Sequence, residues 1–274
     1  MSRSVFRTHP PRPVLLGHRG SGRGIVGGHR ENTLASMLAA VAQGLDWVEL
    51  DVRRGGDGLV VLHDPWLADG DRVIEYAGPE LAAAGVDRLE DVLAALPPHV
   101  GVDFDVKTSL EDALTDRGET TAALLAPLVA DERRRRALVV TSFDPAALLV
   151  LRERAPEVPL GLLTWVTFPI EHAVAAARHL GVDLVGVHVG SLAARRPDPT
   201  RGLHEGVRAV EVAHRAGLEV LAWCPVPEVA RTLADAGVDA LVVDDIAGVR
   251  EMLATRNAPA GAPGQLGASA VGRG

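Results

Sequence analysis

Residues 46–64 read DWVELDVRRGGDGLVVLHD, and this stretch predicts two strands joined by a tight turn. Trp47–Val52 alternates apolar and charged residues, which is typical of a strand with two different faces. Because strand side chains switch faces at each step, Glu49 and Asp51 are expected to point the same way. After the Gly-Gly-Asp-Gly turn, Leu59–His63 can return antiparallel and bring its histidine back to about the level of Asp51. The hairpin therefore predicts an imidazole beside two carboxylates.

Strand-like and helix-like segments alternate from this hairpin toward both ends of the chain. Four glycines each end a helical stretch just before a strand: Gly44, Gly181, Gly217 and Gly237. The other predicted strands cover residues 14–18, 101–107, 137–142, 160–165, 184–189, 220–223 and 240–244. With Leu59–His63 counted only as a return arm, eight strand units remain. This alternation predicts an α/β fold, a single (β/α)8 TIM barrel with a short rim insertion over residues 65–88 after the second-strand hairpin.

Length and composition agree with one such domain. The chain has 274 residues, 47% of them hydrophobic, and roughly 250 residues is typical of an α/β barrel. We expect an N-terminal extension over residues 1–13, the barrel over 14–256, and a disordered tail rich in Ala, Gly and Pro over 257–274. The basic run Arg133–Arg136 is expected to be a solvated helix end.

Charge and cysteine content limit the function classes. A net charge of −8 argues against a nucleic-acid binder, because phosphate neutralisation needs clustered positive charge. The single cysteine, Cys224, excludes an internal disulfide, and we expect a small buried apolar residue with no base beside it. The sequence shows no apolar signal region and no run near the roughly 18 apolar residues of a membrane span. These features predict a cytoplasmic protein without stable membrane association, and they leave the oligomeric state open.

Charged residues near the predicted strand ends indicate where the chemistry lies, since the active site of a parallel barrel is at the carboxyl ends of its strands. Residues 102–107 read VDFDVK, so Asp105 shares a face with Lys107 and can join Glu49 and Asp51 at the mouth. Three carboxylates without nitrogen or sulfur ligands favour Mg²⁺ or Ca²⁺, although rim arginines could pair with them instead. Lys107 is the only lysine among 28 basic residues, which indicates a site that needs a compact ammonium.

Four short motifs occur in a characteristic order and spacing: His18-Arg19-Gly20, Glu31-Asn32-Thr33, Glu49-Leu50-Asp51-Val52 and His63-Asp64. Together they resemble the glycerophosphodiester phosphodiesterase family, and the resemblance extends over about residues 16–244. It implies a barrel of the phospholipase-C-like type that uses a divalent cation.

The resemblance also implies roles for individual residues: His18 and His63 as the acid–base pair, Arg19 for phosphate, Glu49 and Asp51 for metal, and Trp223 against the glycerol. The family's third metal ligand is usually a glutamate two residues before a lysine, and here Asp105 stands in that position before Lys107. An ammonium at Lys107 and the guanidinium of Arg19 would both stabilise charge on a phosphoryl oxygen.

The resulting prediction is metal-dependent hydrolysis of glycerophosphodiesters, small-molecule substrates, to glycerol 3-phosphate and an alcohol of unspecified head group. A phospholipase-type enzyme acting on intact lipids could use the same scaffold, but only 3% of the residues are aromatic and no lipid-facing amphipathic helix is evident. Residues 22–27 read GRGIVG and match a dinucleotide-binding motif, which would indicate an oxidoreductase. A non-catalytic binding protein would result if Asp105 disabled the metal site. His29, in the rim loop, could approach the substrate.

Overall fold

Eight parallel strands form the centre of the computed structural model, which describes residues 4–6, 13–192 and 199–254. In chain order they are β1 (Val14–Gly17), β2 (Trp47–Arg54), β3 (Gly101–Val106), β4 (Leu138–Ser142), β5 (Leu160–Leu163), β6 (Leu184–His188), β7 (Glu219–Trp223) and β8 (Ala240–Val243). Each strand pairs in parallel with the next, and β1 pairs with both β2 and β8, which closes the barrel. The predicted (β/α)8 TIM barrel is confirmed.

Helices follow the strands and cover the barrel. They span Leu34–Ala42, Leu89–Ala95, Thr121–Glu132, Pro145–Arg154, Ile170–Leu180, Val189–Leu192, Pro199–Arg215, Pro227–Asp235 and Ile246–Ala254. Several of these helices are capped at the N-terminus by a side chain. Asp144, for example, accepts a hydrogen bond from the backbone N–H of Ala146. The four predicted glycine stops all have positive φ, the conformation that ends a helix most readily at glycine. Among the described residues, no helix has the length and apolar character needed to cross a membrane.

The hairpin of residues 46–64 extends β2 above the barrel rim. Its return arm, Leu59–Val61, pairs antiparallel with β2 and places Val61 opposite Val52, so His63 comes back to the level of Leu50, as predicted. The rim insertion then contains a 3₁₀ turn at Val73–Glu75, a helix at Gly78–Ala83 and a strand at Asp87–Arg88. A separate small core supports it, formed by Val60, Val73, Leu81 and Val86.

The bottom of the barrel is closed by residues from the predicted N-terminal extension. The Phe6 ring packs edge-on against Trp47, the first residue of β2, with the ring centroids 5.0 Å apart. The backbone N–H groups of Val5 and Phe6 donate to the carboxylate of Glu219, the first residue of β7. Residues 4–6 therefore pack as part of the barrel floor. The predicted tail over residues 257–274 lies outside the described residues.

One expectation about the surface is wrong: Arg136 is not a solvated helix end. Its side chain is fully buried and its Nε donates to Glu132 at 2.7 Å. The guanidinium also donates to the carbonyl oxygens of Leu93, Leu96, Pro97 and Val100. Arg136 is a structural residue, because its guanidinium donates hydrogen bonds to four backbone carbonyl groups in the segment that precedes β3. Arg133, Arg134 and Arg135 are exposed, as expected.

Candidate active site

A cavity of about 460 Å³ opens at the carboxyl ends of the barrel strands. All the residues singled out from the sequence for catalysis, substrate or metal line it: His18, Arg19, Glu49, Asp51, His63, Asp105, Lys107 and Trp223. His29 is exposed in the rim hairpin and is not among the lining residues. The structure therefore brings together the complete predicted set.

Three buried carboxylates form the floor of the cavity. In the pairing of β2 with β3, Asp51 lies opposite Asp105 and Glu49 lies opposite Asp103. One ligand oxygen from each of Glu49, Asp51 and Asp105 lies within 4.8 Å of the others. Burial, with the charges of Asp51 and Asp105, raises the pKa of Glu49 well above its usual range. Such a cluster is expected to have a cation among its oxygens.

The chemistry of these residues fits a hard divalent cation. All three offer carboxylate oxygens, the donors that Mg²⁺ and Ca²⁺ prefer. The Oδ1 atom of Asp105 is buried without a hydrogen-bond partner, and an unsatisfied buried oxygen of this kind is costly unless a ligand binds it. Although the Asp105 side chain is one methylene shorter than a glutamate, it still reaches the cluster.

Lys107 and Arg19 supply positive charge to the same cluster. The Lys107 ammonium lies 2.8 Å from Asp51 Oδ1 and also contacts Asp105, while Arg19 Nε lies 3.3 Å from Asp51 Oδ2. Burial alone would raise the pKa of Asp51, but these two cations lower it to about 2. Burial likewise opposes the charged form of Lys107, yet Asp105 and Asp51 raise its pKa. The only lysine of the chain is therefore a charged site residue.

The loop after β1 positions Arg19 and Asn32 through left-handed backbone conformations. Arg19 has φ of 52° and Asn32 has φ of 56°. The Arg19 backbone N–H donates to Glu49 Oε2 at 2.8 Å, and its side chain donates to Glu31 at 2.7 Å. Asn32 holds Asp51 twice, because its Nδ2 donates to Asp51 Oδ2 at 2.7 Å and its Oδ1 accepts from the Asp51 N–H at 3.1 Å.

Both predicted catalytic histidines are oriented by carboxylates. His18 Nδ1 lies 2.7 Å from Asp244 Oδ1, and His63 Nδ1 lies 2.7 Å from Asp64 Oδ1. A carboxylate on Nδ1 sets the tautomer and leaves Nε2 for proton exchange. Burial opposes ionisation of Asp244, but the His18 bond lowers the pKa of this carboxyl to about 2. The sequence alone indicates no role for Asp64 or Asp244, although Asp64 belongs to the His63-Asp64 motif.

The environment of Cys224 differs from the expectation that no base lies near it. Its Sγ is 3.6 Å from His18 Nδ1. Burial and the neighbouring Asp244 raise the pKa of the thiol to about 12, so it stays protonated at neutral pH. The prediction that Cys224 is not a nucleophile therefore rests on this raised pKa and not on the absence of a base.

Aromatic rings form the opposite wall of the cavity. Trp223, at the end of β7, meets the edge of Phe143 with centroids 5.9 Å apart, and Phe143 stacks on Trp165 at 4.5 Å. Behind them, His188 packs against Trp223 at 4.4 Å and accepts a hydrogen bond from a backbone N–H. Trp223 Nε1 is buried without a hydrogen-bond partner. Phe143 carried no signal in the sequence.

The glycine-rich stretch 22–27 does not form a dinucleotide cradle. Ile25–Val26 pairs antiparallel with His29–Arg30 in a small rim hairpin. The next helix begins only at Leu34, whereas a pyrophosphate cradle needs the helix N-terminus at the third glycine. This geometry argues against the oxidoreductase alternative.

Known proteins resemble this chain over most of its length. The model of the "Glycerophosphoryl diester phosphodiesterase family" matches residues 18–247. A Mycobacterium tuberculosis protein named "Probable glycerophosphodiester phosphodiesterase 2" is 29% identical over 245 residues, covering 82% of this chain and 86% of that protein. A solved Oleispira antarctica phosphodiesterase, in complex with the product sn-glycerol-3-phosphate, superposes with a TM-score of 0.69 at 25% identity, covering 89% of this chain and 97% of that one. A glycerophosphodiester phosphodiesterase from Thermotoga maritima shares the fold, with a TM-score of 0.67, 21% identity and coverage of 90% and 99%.

Proposed function

Because the chain belongs to the glycerophosphoryl diester phosphodiesterase family, we propose that it hydrolyses glycerophosphodiesters to glycerol 3-phosphate and an alcohol in a metal-dependent reaction. The observation that carries this proposal is the single cavity in which two carboxylate-oriented imidazoles lie with three buried carboxylates. The product bound to the Oleispira antarctica relative supports glycerol 3-phosphate as the product here.

His18 and His63 act as the acid–base pair. With Nδ1 of each ring bound to a carboxylate, one Nε2 takes the proton from the attacking oxygen. The other Nε2 protonates the alkoxide that leaves when the phosphorus–oxygen bond to the alcohol breaks. Asp244 and Asp64 hold the rings in place and stabilise each imidazolium while it carries a proton.

Arg19 and Lys107 bind the phosphoryl group. An ammonium has three donors, and the contacts of Lys107 with Asp51 and Asp105 leave one for a phosphoryl oxygen. The Arg19 guanidinium is held rigidly by Glu31 and Asp51, so little ordering is needed when the substrate binds. Trp223, which lines the cavity, packs against the glycerol carbons.

Glu49, Asp51 and Asp105 hold the divalent cation. When bound, the cation polarises the phosphoryl oxygens and lowers the pKa of an attacking hydroxyl. Asn32, through its two hydrogen bonds, keeps the Asp51 carboxylate directed toward its neighbours. A cytoplasmic location, the lack of nucleic-acid binding and the choice between Mg²⁺ and Ca²⁺ stay predictions.

The test measures glycerol 3-phosphate release from glycerophosphocholine and glycerophosphoethanolamine. Activity is expected to disappear with EDTA and to return with Mg²⁺ or Ca²⁺, which would also exclude a non-catalytic binding protein. His18→Ala and His63→Ala should each lower kcat by about 10²–10⁴-fold. His29→Ala is the matched control, since this imidazole lies on the same rim but outside the cavity. A His63→Ala protein with wild-type kcat, or a rate that resists EDTA, would contradict the proposal.

A further inference from the structure

We propose that His18, Cys224 and Asp244 form a second metal site, which takes a thiophilic divalent cation such as Zn²⁺ and inhibits the enzyme when it is occupied. An imidazole nitrogen, a thiol sulfur and a carboxylate oxygen, one from each residue, lie within 4.8 Å of one another. This set of donors, called the thiol site below, differs from the three carboxylates on the cavity floor. Nitrogen and sulfur ligands favour Zn²⁺, whereas Mg²⁺ and Ca²⁺ prefer oxygen.

Closure of the barrel brings the three ligands together. Each of them is the first residue after a strand: His18 follows β1, Cys224 follows β7 and Asp244 follows β8. These strands are neighbours, because β8 pairs in parallel with both β7 and β1. The carboxyl ends of three adjacent strands therefore present an imidazole, a thiol and a carboxylate at one point on the rim.

The distances within the thiol site suit a tetrahedral ion. Cys224 Sγ lies 3.6 Å from His18 Nδ1. A tetrahedral zinc with bonds of about 2.0–2.3 Å separates its sulfur and nitrogen ligands by about 3.5 Å. The distance of 2.7 Å between His18 Nδ1 and Asp244 Oδ1 is that of a hydrogen bond, and it has to increase by roughly 0.6 Å when an ion replaces the shared proton. Only this second pair needs to move.

Backbone contacts hold two of the ligands in place. The Arg23 backbone N–H donates to Asp244 Oδ1 at 2.9 Å. The Cys224 backbone N–H donates to the carbonyl oxygen of Val242 at 2.9 Å, and Cys224 has φ of 56°. A left-handed backbone is uncommon for a residue other than glycine and is found most often at functional sites. Outer contacts of this kind orient metal ligands in proteins.

An ion can reach the thiol site from the catalytic cavity. His18 and Cys224 both line that cavity, and all three ligands are half-buried. Three protein ligands leave the fourth position of a tetrahedral zinc for water. The thiol site is therefore accessible to a cation from solution.

The protons balance as follows when Zn²⁺ binds. The thiol proton of Cys224 leaves to solvent, because a coordinating thiol is deprotonated. The hydrogen of His18 Nδ1 is replaced by the ion, and the neutral imidazole carries its hydrogen on Nε2 instead. That Nε2 cannot accept a further proton, and it can release its own only by forming an imidazolate. Inhibition follows for either role of His18, and this consequence, unlike the binding itself, rests on the proposed function.

The binding experiment is a Co²⁺ titration of the full chain with saturating Mg²⁺ present to occupy the carboxylates of the cavity floor. Co²⁺ replaces Zn²⁺ as the probe, because the d¹⁰ zinc ion has no such spectrum. Cys224 is the only cysteine of the chain, so thiolate-to-cobalt charge-transfer absorption reports the thiol site alone. We expect this absorption to saturate at one Co²⁺ per chain and to disappear when Zn²⁺ is added.

Variants identify the ligands. Cys224→Ser and Cys224→Gly should both lose the absorption, and glycine accepts the left-handed backbone, so at least one thiol-free protein is expected to fold. His18→Ala should lose it as well. His63→Ala is the matched control, because this imidazole is also bound to a carboxylate but lies outside the thiol site, and it should keep the absorption. A wild type without the absorption, or a His18→Ala protein that keeps it, would overturn the proposed ligands.

Inhibition is measured as glycerol 3-phosphate release at saturating Mg²⁺ with increasing Zn²⁺. The wild type should lose activity at Zn²⁺ concentrations that leave Cys224→Ser active, and both proteins should have the same rate without Zn²⁺. Equal inhibition of the two proteins would overturn inhibition through the thiol site. Cobalt absorption in a protein that hydrolyses no glycerophosphodiester would refute the proposed function and leave the thiol site intact.

Discussion

Asn32→Gly is the perturbation that most directly tests how the carboxylate floor is built. Asn32 is buried, has φ of 56°, and makes two hydrogen bonds with Asp51. Glycine accepts this left-handed conformation without strain, so the change removes the amide group and little else. We expect the free energy of unfolding to fall. We also expect the affinity for the divalent cation to fall, because Asp51 loses the group that orients it.

The magnitude follows from the two bonds. The bond from Nδ2 to the charged Asp51 carboxylate contributes about 1.5–3 kcal/mol, and the backbone bond about 0.5–1.5 kcal/mol. The free energy of unfolding should therefore fall by about 2–4.5 kcal/mol. A substitution next to a metal ligand of this kind typically weakens metal affinity by about 10–100-fold. Asn32→Ala should be less stable still, since alanine at positive φ costs about 1–2 kcal/mol.

Two assays read these effects separately. Urea unfolding gives the change in stability, and glycerol 3-phosphate release against Mg²⁺ concentration gives the half-saturating value. Thr167→Gly is the matched control, because Thr167 is also left-handed but exposed. An Asn32→Gly protein with wild-type stability and wild-type metal dependence would refute the claim that Asn32 organises the site.

Three further substitutions have defined expected outcomes. Asp244→Asn should lower kcat by about tenfold or more, because His18 loses the charge that stabilises its imidazolium. The fold lowers the pKa of Asp244 to about 2, so the ionised carboxylate stabilises the folded state above about pH 4, and this contribution is lost as the pH falls toward 2. The difference in unfolding free energy between the wild type and Asp244→Asn should therefore become smaller between about pH 4 and pH 2. Lys107→Met should destabilise by about 3–5 kcal/mol, because buried carboxylates lose their cation, and added Mg²⁺ should restore part of that stability in thermal unfolding. Arg136→Met should lower the unfolding free energy by about 3–5 kcal/mol but leave kcat unchanged, and a changed kcat would contradict its structural assignment.

The parts of the site that the sequence could predict are those that obey local periodicity. Alternation along a strand was enough to place Glu49 and Asp51 on one face, and a four-residue turn was enough to return His63 to their level. Even Asp105 could be placed, since residues two apart share a face and neighbouring parallel strands end together. Strand spacing is a regular property of the backbone, and it does not depend on the details of packing.

The parts that could not be predicted depend on contacts between segments distant in sequence. Arg136 resembles its exposed neighbours in the sequence, and only the packing of the turn before β3 makes it a buried hub. The His18 imidazole lies near the Cys224 thiol because of where β7 ends relative to His18. Phe143 directly follows the last residue of β4, and it becomes part of the cavity wall through ring contacts with Trp165 and Trp223, which come from other strand–helix units. None of these has a periodic signature.

The two catalytic histidines show how the fold itself completes the chemistry. His63 takes its carboxylate from the next residue, so its orientation is local. His18 takes its carboxylate from Asp244, which is 226 positions away, at the end of the last strand. That contact exists because β1 and β8 pair, with Gly17 opposite Val243. Closure of the barrel is therefore the step that orients His18, and a chain that failed to add its eighth strand would keep one oriented imidazole and lose the other.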